Sequence, residues 1–366
     1  MILMTIAVPR GHDGVSPTRW RLTGPGRKVA WSATGSGTQS PLLVLPELSG
    51  HLILDWSAPC LSSFYRALAA SFRLLRFDLP GTGLSLTDAS PYTVDMHLAY
   101  VDDVLDAAGC ESTAIVAAGL SGPIAIAYAA QRPERVSRLV LVGTCARYCG
   151  PAADGLIDPE MPDILGRLIQ TNWRIANQAL TSLLLPNADA ALASWVTEHR
   201  ISTMNSDVAV DIVSQQLRAD VRGQLAQVQA PTLVVHHRDA QQPNPALART
   251  LAERLPAGVL DLRPGSADNP VLADPAAVVA AVRRFLQPER HLLTRRETAV
   301  LSELARGLSN RRIAAELGIA ESTVARHIAN VFQKLGVDNR VAAVTRGYDI
   351  VRESPPQRSS RRASAH

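Results

Sequence analysis

The sequence predicts an α/β body, a doubly wound and mostly parallel sheet with a helical cap, followed by a small all-α module built around a helix-turn-helix. Three observations carry this expectation. Short, continuously apolar runs alternate with longer segments of helical periodicity through most of the chain, as strands buried on both faces require. The alternation stops between about 151 and 228, where only helical patches occur. The charge balance also changes along the chain. The first 290 residues hold 24 Lys+Arg against 26 Asp+Glu, whereas the segment from His291 holds 13 against 7, a net +6. A near-neutral body joined to a basic module fits a nucleic-acid-facing end.

The elements follow in order. LLVLPE (42–47), FRLLRFD (72–78), TAIVAAG (113–119), RLVLVGT (138–144) and TLVVHH (232–237) read as strands. PIAIAYAAQRP (123–133) and PAAVVAAVRRFL (275–286) read as helices that cover the sheet. The helical insertion at 151–228 reads as a cap over the C-terminal edge of the sheet, where such folds bind ligands. The expected organisation is an N-terminal extension (1–17), a body (18–286), a linker (287–292), a helical module (293–350) and a basic, Pro/Ser-rich tail (351–366) read as disordered.

Composition excludes several classes. No apolar run approaches a membrane span, and MILMTIAVPR lacks the basic start and cleavage site of a signal peptide, so a cytoplasmic protein is expected. Four cysteines (Cys60, Cys110, Cys145, Cys149) form no CxxC pair and read as reduced thiols. His236-His237 lacks a third metal ligand at useful spacing. Neither a metal nor a cofactor is expected.

Three stretches of the body form a recognisable series: DLPGTGLS (78–85), GPIAIAYAAQRPERVSRLVLVGT (122–144) and PGSADNPVLADPAAVVAAVRRFL (264–286). On these pieces the chain from about 18 to 286 resembles the α/β-hydrolase superfamily. The resemblance implies a G-x-S-x-G turn between strand and helix, with the nucleophile exposed on a strained backbone. Counting back from Gly122-Pro123, that position holds Gly119, while Ser121 falls two residues later in the first helical turn. The family's histidine position, in a G-x-x-H-x-P pattern, holds Asp268. The acid position after the penultimate strand holds Ala240, with Asp239 one residue earlier. The oxyanion loop reads Pro46-Glu47, where a carboxylate would repel a developing oxyanion. With all three triad positions replaced, no catalytic residues are expected and the pocket should bind without cutting. Its floor is expected from Leu48, Gly119, Leu120, Ala240 and Asp268. The ligand should be small and partly apolar, and analogy with hydrolase relatives suggests an ester, lactone or acid. The rival expectation is a working hydrolase that uses Ser121 with His51 or His237. A third is a scaffold whose pocket has collapsed. His51 reads as a structural hydrogen-bonder, and Trp56, Trp173 and Trp195 read equally as pocket wall or ordinary packing.

In the C-terminal module, Thr294-Arg295-Arg296-Glu297 has capping-box spacing. Val300, Leu301, Leu304 and Ala305 line one face of a first helix. Ser309 opens a second helix with Ile313, Ala314 and Leu317 inward. A third, Glu321 to Leu335, turns Val324, Ile328, Val331 and Leu335 inward, and a fourth starts near Asn339. LTRRE (293–297), GLSNRRIAAELGIAESTVARHIANVFQKLGV (307–337) and Asn339-Arg340 resemble the LuxR-type DNA-binding domain over its whole length. The resemblance implies double-stranded DNA as partner and a cytoplasmic, bacterial homodimer. Ser322, Thr323, Arg326, His327, Asn330 and Lys334 are left as DNA candidates on the third helix. Arg326 suits a guanine edge and Lys334 a phosphate; Arg311 and Arg312 on the second helix also suit phosphates.

Overall fold

The computed structural model describes the chain except residues 1–4, 7–17, 23–26, 37–38, 49, 88–91, 152–153, 155, 288–292, 336, 338 and 353–366. Most of the expected extension, the linker from 288 and the tail from 353 therefore lie outside the described residues. The chain divides into two compact units, Met1–Val282 and Arg283–His366.

The first unit is a ten-stranded sheet flanked by helices. Its strands are β1 (Thr5–Ile6), β2 (Thr18–Leu22), β3 (Arg27–Thr34), β4 (Pro41–Val44), β5 (Arg73–Phe77), β6 (Leu86–Thr87), β7 (Thr113–Ala118), β8 (Val136–Val142), β9 (Thr232–His237) and β10 (Gly258–Arg263). The order across the sheet is β1-β2-β3-β5-β4-β7-β8-β9-β10, with β6 against β3. From β5 to β10 every pairing is parallel. The apolar runs that predicted strands are the central ones: Leu42, Leu43, Ile115, Leu139, Val140 and Val234 are wholly buried. Sequence reading missed β1, β2, β3 and β6, and also β10, whose residues lie half-buried at the sheet's edge except for exposed Val259 and include the Asp261–Arg263 ion pair. Such a strand shows no continuous apolar run.

The helices α1 (Pro59–Ala69), α2 (Val94–Ala107) and α3 (Gly122–Gln131) precede the cap. Between β8 and β9 the chain forms α4 (Met161–Thr171), α5 (Trp173–Leu184), α6 (Ala190–Thr203) and α7 (Ser206–Arg218). Asn172, Asp189 and Asn205 cap α5, α6 and α7 by accepting from backbone N–H groups that the first helical turn leaves free. The apolar faces of α4, α5 and α7 meet in Leu165, Ile169, Leu180, Ile212 and Leu217, and the same cluster includes Leu48, Leu120 and Tyr148 of the sheet's loops. That shared cluster seats the cap above the strand ends. Helices α8 (Pro245–Arg254), α9 (Pro270–Ala273) and α10 (Pro275–Leu286) complete the winding.

The second unit holds α11 (Arg295–Ala305), α12 (Asn310–Leu317), α13 (Glu321–Leu335) and α14 (Arg340–Arg352). Val300, Leu301, Leu304, Ile313, Val324, Val331, Leu335 and Ala343 form its own core. Ala305, expected inward, is exposed, because the helix has begun to turn its last residue into solvent. The capping box is formed: Glu297 N donates to Thr294 Oγ1 (3.2 Å) and Thr294 N to Glu297 Oε2 (2.7 Å). Among the described residues no helix is long and apolar enough to cross a membrane.

Candidate functional site

Strand β4 lies between β5 and β7, so the chain leaves it in one direction and returns on its other side. The carboxyl ends of β4 and β7 therefore part at a topological switch point, where α/β folds hold ligands. A cavity of about 110 Å³ opens there, lined by Val44 at the end of β4 and Leu45, Glu47 and Leu48 just past it, and by Val116 and Ala118 of β7 and Gly119 just past it. The cap supplies Leu184, Trp195, Val196, His199 and Arg200, and the loop before α9 supplies Asp268 and Asn269.

The turn from β7 into α3 has an elbow's geometry. Gly119 sits at φ +51°, in the left-handed region that side chains resist. Thr144 Oγ1 donates to the Gly119 carbonyl (2.7 Å). A Cβ on Gly122 would lie 2.0 Å from the same hydroxyl, which explains the close approach of α3 to the end of β8. Ser121 is fully buried at the start of the helix. Its hydroxyl donates to Ala118 O (2.8 Å) and accepts from Ala118 N (3.1 Å), so it faces its own backbone. The space a side chain at 119 would occupy is filled: a Cβ there would lie 2.0 Å from Glu47 Oε1.

Glu47 is anchored by Asn269 Nδ2, which donates to Oε2 (2.9 Å). Burial pushes its carboxyl above the usual carboxylate range, against the opposing pull of Arg200 and Asn269. Asp268 lines the cavity, but its oxygens are occupied. Oδ2 accepts from Asn187 N (2.9 Å), and Oδ1 accepts from Gln241 N (2.8 Å) and Gln242 N (3.0 Å). Its carboxylate pins the cap to the loop after β9. Of the expected floor, Leu48, Gly119, Leu120 and Asp268 line the cavity. Ala240 does not: it is buried beside Gln241, whose backbone points to Asp268 instead, and this corrects the expectation. Asp239 is exposed.

The histidines have structural partners. His51 Nδ1 accepts from Ile53 N and Leu54 N (3.1 and 3.2 Å), and burial lowers its pKa. His237 Nδ1 lies 3.0 Å from Ala267 O and His236 Nδ1 2.9 Å from His237 O. No group of three potential metal ligands occurs among the described residues. Trp195 lines the cavity, whereas Trp56 packs edge-on to Tyr65 and Trp173 joins the cap cluster.

Sequence reasoning missed the polar side wall. Asp55 is buried and accepts from Arg76 Nη2, from Tyr65 OH (3.3 Å) and from His51 N (3.0 Å), and pairs with His199 Nε2 of α6 (2.9 Å). Burial alone would raise the Asp55 pKa, but Arg76 and His199 outweigh it and hold it below the usual range. Arg200, next along α6, is buried and donates from Nη1 to Asn177 Oδ1 (3.2 Å) and Thr181 Oγ1 (2.9 Å). The signal was the His199-Arg200 pair inside an otherwise ordinary helical segment.

In the second unit, α12 ends at Gly318 (φ +63°) and a short turn leads into α13. Ser322, Ala325, Arg326, Ala329 and Gln333 are exposed and form one stripe along α13, opposite Val324, Val331 and Leu335. Thr323, His327, Asn330 and Lys334 are half-buried on a flank of the helix. Lys334 Nζ donates to Glu297 Oε2 (2.6 Å), so the expected phosphate anchor has an internal partner. The expectation is corrected for a physical reason: Glu297 is buried by its capping role and requires a counter-charge. Arg311 and Arg312 are exposed on α12.

Comparison with known proteins agrees with both units. The α/β-hydrolase fold family model matches residues 50–257, and the model of bacterial regulatory proteins of the luxR family matches residues 291–346. RutD of Caulobacter sp. (strain K31), a protein named for carbamate hydrolysis, is 31% identical over 232 residues, covering 61% of this chain and 84% of that one. The nitrate/nitrite response regulator protein NarP of Escherichia coli (strain K12) is 58% identical over 52 residues, 14% of this chain and 24% of that one. An esterase of Exiguobacterium antarcticum superposes with a TM-score of 0.64 at 16% identity, covering 73% of this chain and 98% of that chain. The elbow at the switch point, the cap above it and the separate helix-turn-helix core thus have one account: the chain belongs to the α/β-hydrolase fold family and carries, after its hydrolase-fold domain, a DNA-binding helix-turn-helix domain of the LuxR family.

Proposed function

We propose that the chain is a ligand-responsive transcriptional regulator whose hydrolase-fold domain binds a small molecule without hydrolysing it. The observation that carries this reading is the elbow, where glycine stands at the nucleophile's position and the Glu47 carboxyl fills the space its side chain would need. A serine hydroxyl works as a nucleophile only when a base takes its proton. Ser121, the nearest serine, turns its hydroxyl to the Ala118 backbone. His51 and His237, the bases of the rival reading, each direct Nδ1 at backbone groups. The open cavity speaks for a binding site rather than a collapsed scaffold. On this reading the ligand, an ester, lactone or acid by analogy with hydrolase relatives, alters DNA binding by the LuxR-type domain in a cytoplasmic homodimer.

The test is turnover of nitrophenyl acetate and butyrate by the purified full chain. No release above that of a Ser121→Ala variant is expected. Turnover that vanishes in that variant would restore the active-hydrolase reading. Light scattering of the same sample should give a mass near twice the 39.2 kDa of one chain, and a single-chain mass would remove the homodimer.

A further inference from the structure

Arg200 is the arginine that lines the cavity, and it is only 6% exposed. Both hydrogens of Nη1 are engaged, by Asn177 and Thr181 of α5, and these bonds fix the plane of the guanidinium. Among the described residues, Nε and Nη2 make no hydrogen bond with protein. A guanidinium carries five N–H donors and keeps its charge at any working pH. The free edge is the side-on fork that meets a carboxylate with two parallel bonds. Burial brings the Arg200 pKa down only to about 10, partly countered by Glu47, so the fork is cationic near neutrality.

The other charges on the cavity wall are accounted for. Asp55 is held by Arg76 and His199, and Asp268 by backbone N–H groups of Asn187, Gln241 and Gln242. Glu47 shares no hydrogen bond with Arg200 and acts on it only through space. Burial raises the Glu47 pKa, and Arg200 nearby and the Asn269 hydrogen bond oppose that rise. The rest of the wall is largely apolar, with Leu61, Phe64, Leu184, Val196 and Val271. An apolar cavity of about 150 Å³ takes up benzene, so the 110 Å³ here suits a body of similar or slightly smaller size.

We propose that the cavity binds a small monocarboxylate, its anionic end on the Nε–Nη2 edge of Arg200 and its compact apolar body against Phe64, Leu61 and Val196. This rests on the reading of the hydrolase-fold domain as a small-molecule binder and names the chemical class it takes. An acid has no scissile bond, so a site of this kind has no use for a nucleophile.

The experiment is calorimetric titration of the full chain with benzoate and pentanoate, each beside its matched amide, benzamide and pentanamide. A charge-assisted pair predicts that each acid binds about tenfold to a hundredfold more tightly than its amide. Arg200→Gln should bring acid and amide within about twofold of each other. Equal affinity for acid and amide on the native chain would overturn the carboxylate assignment and leave the binding reading standing. Binding of neither class at millimolar concentration would overturn both. If Arg200→Gln does not fold, the acid-to-amide ratio on the native chain decides alone.

Discussion

Gly119 and Glu47 restrain each other. A side chain at 119 would take a left-handed backbone and would require the Glu47 carboxyl, held by Asn269, to move. Gly119→Ser should therefore produce no esterase activity. It should also cost roughly 1–3 kcal/mol through backbone strain and the clash with Glu47. Nitrophenyl ester turnover and a urea unfolding midpoint check both parts, and measurable hydrolysis would show that only the nucleophile was missing. Asp268 holds a different role from the histidine whose position it takes. Three backbone N–H groups donate to it, two of them in adjacent residues, Gln241 and Gln242. Asp268→Ala would leave these donors without their acceptor, and destabilisation of about 2–4 kcal/mol is expected in urea titration of the full chain. A change below about 0.5 kcal/mol would mean that water replaces the carboxylate without loss.

At the scale of elements, α13 divides into an outward stripe and a flank. Arg326 lies in the stripe, where its planar fork can reach a guanine edge. Arg326→Ala should cost about 1–3 kcal/mol at a cognate site and relax discrimination there, measured by binding to cognate and scrambled duplexes. An equal loss on both duplexes would make Arg326 a phosphate contact. Lys334 instead ties α13 to the start of α11 through Glu297. Burial alone would raise the Glu297 pKa, but Lys334 and the Thr294 groups outweigh it and hold it below the usual carboxylate range. A depressed acid contributes stability that is fully present above its unfolded value, about 4.3. That stability disappears as pH falls through the lower folded value. Lys334→Met should lower the melting temperature of the second unit at neutral pH, and the deficit should shrink in acid as Glu297 protonates. A deficit independent of pH would show that packing of the lysine stem is the whole effect.

At the scale of the molecule, two units with separate cores predict separable failure. Val324 is fully buried in the core of the second unit. Val324→Asp places an unpaired charge there and should unfold that unit, abolishing DNA binding. The melting of the hydrolase-fold unit should persist in the same sample, read by differential scanning calorimetry. Loss of both transitions together would show that the units fold as one. The switch point matters at this scale too. The sheet's strand order opens the cavity, and the cap brings α6 to its wall with a histidine, an arginine and a tryptophan.

Local order carried much of this into the sequence. Continuous apolar runs marked the central strands because parallel strands are buried on both faces. The capping box, the inward valines of α13 and the glycine at the elbow were legible because each depends on residues within a few positions of one another. The half-buried edge strand β10 was not, since it lacks a continuous apolar run. Tertiary structure alone decided which distant groups meet. Asn187 reaches Asp268 across 81 positions, Lys334 reaches Glu297 across 37, and Glu47 fills the space above Gly119. Periodicity states which face of an element is buried, but not which side chain of another element will stand against it. That is set by how the sheet orders its strands and where the cap docks. For the same reason Arg200 read as one more charge on a helix, and only the packed fold placed it on the cavity wall with Nη1 held by Asn177 and Thr181.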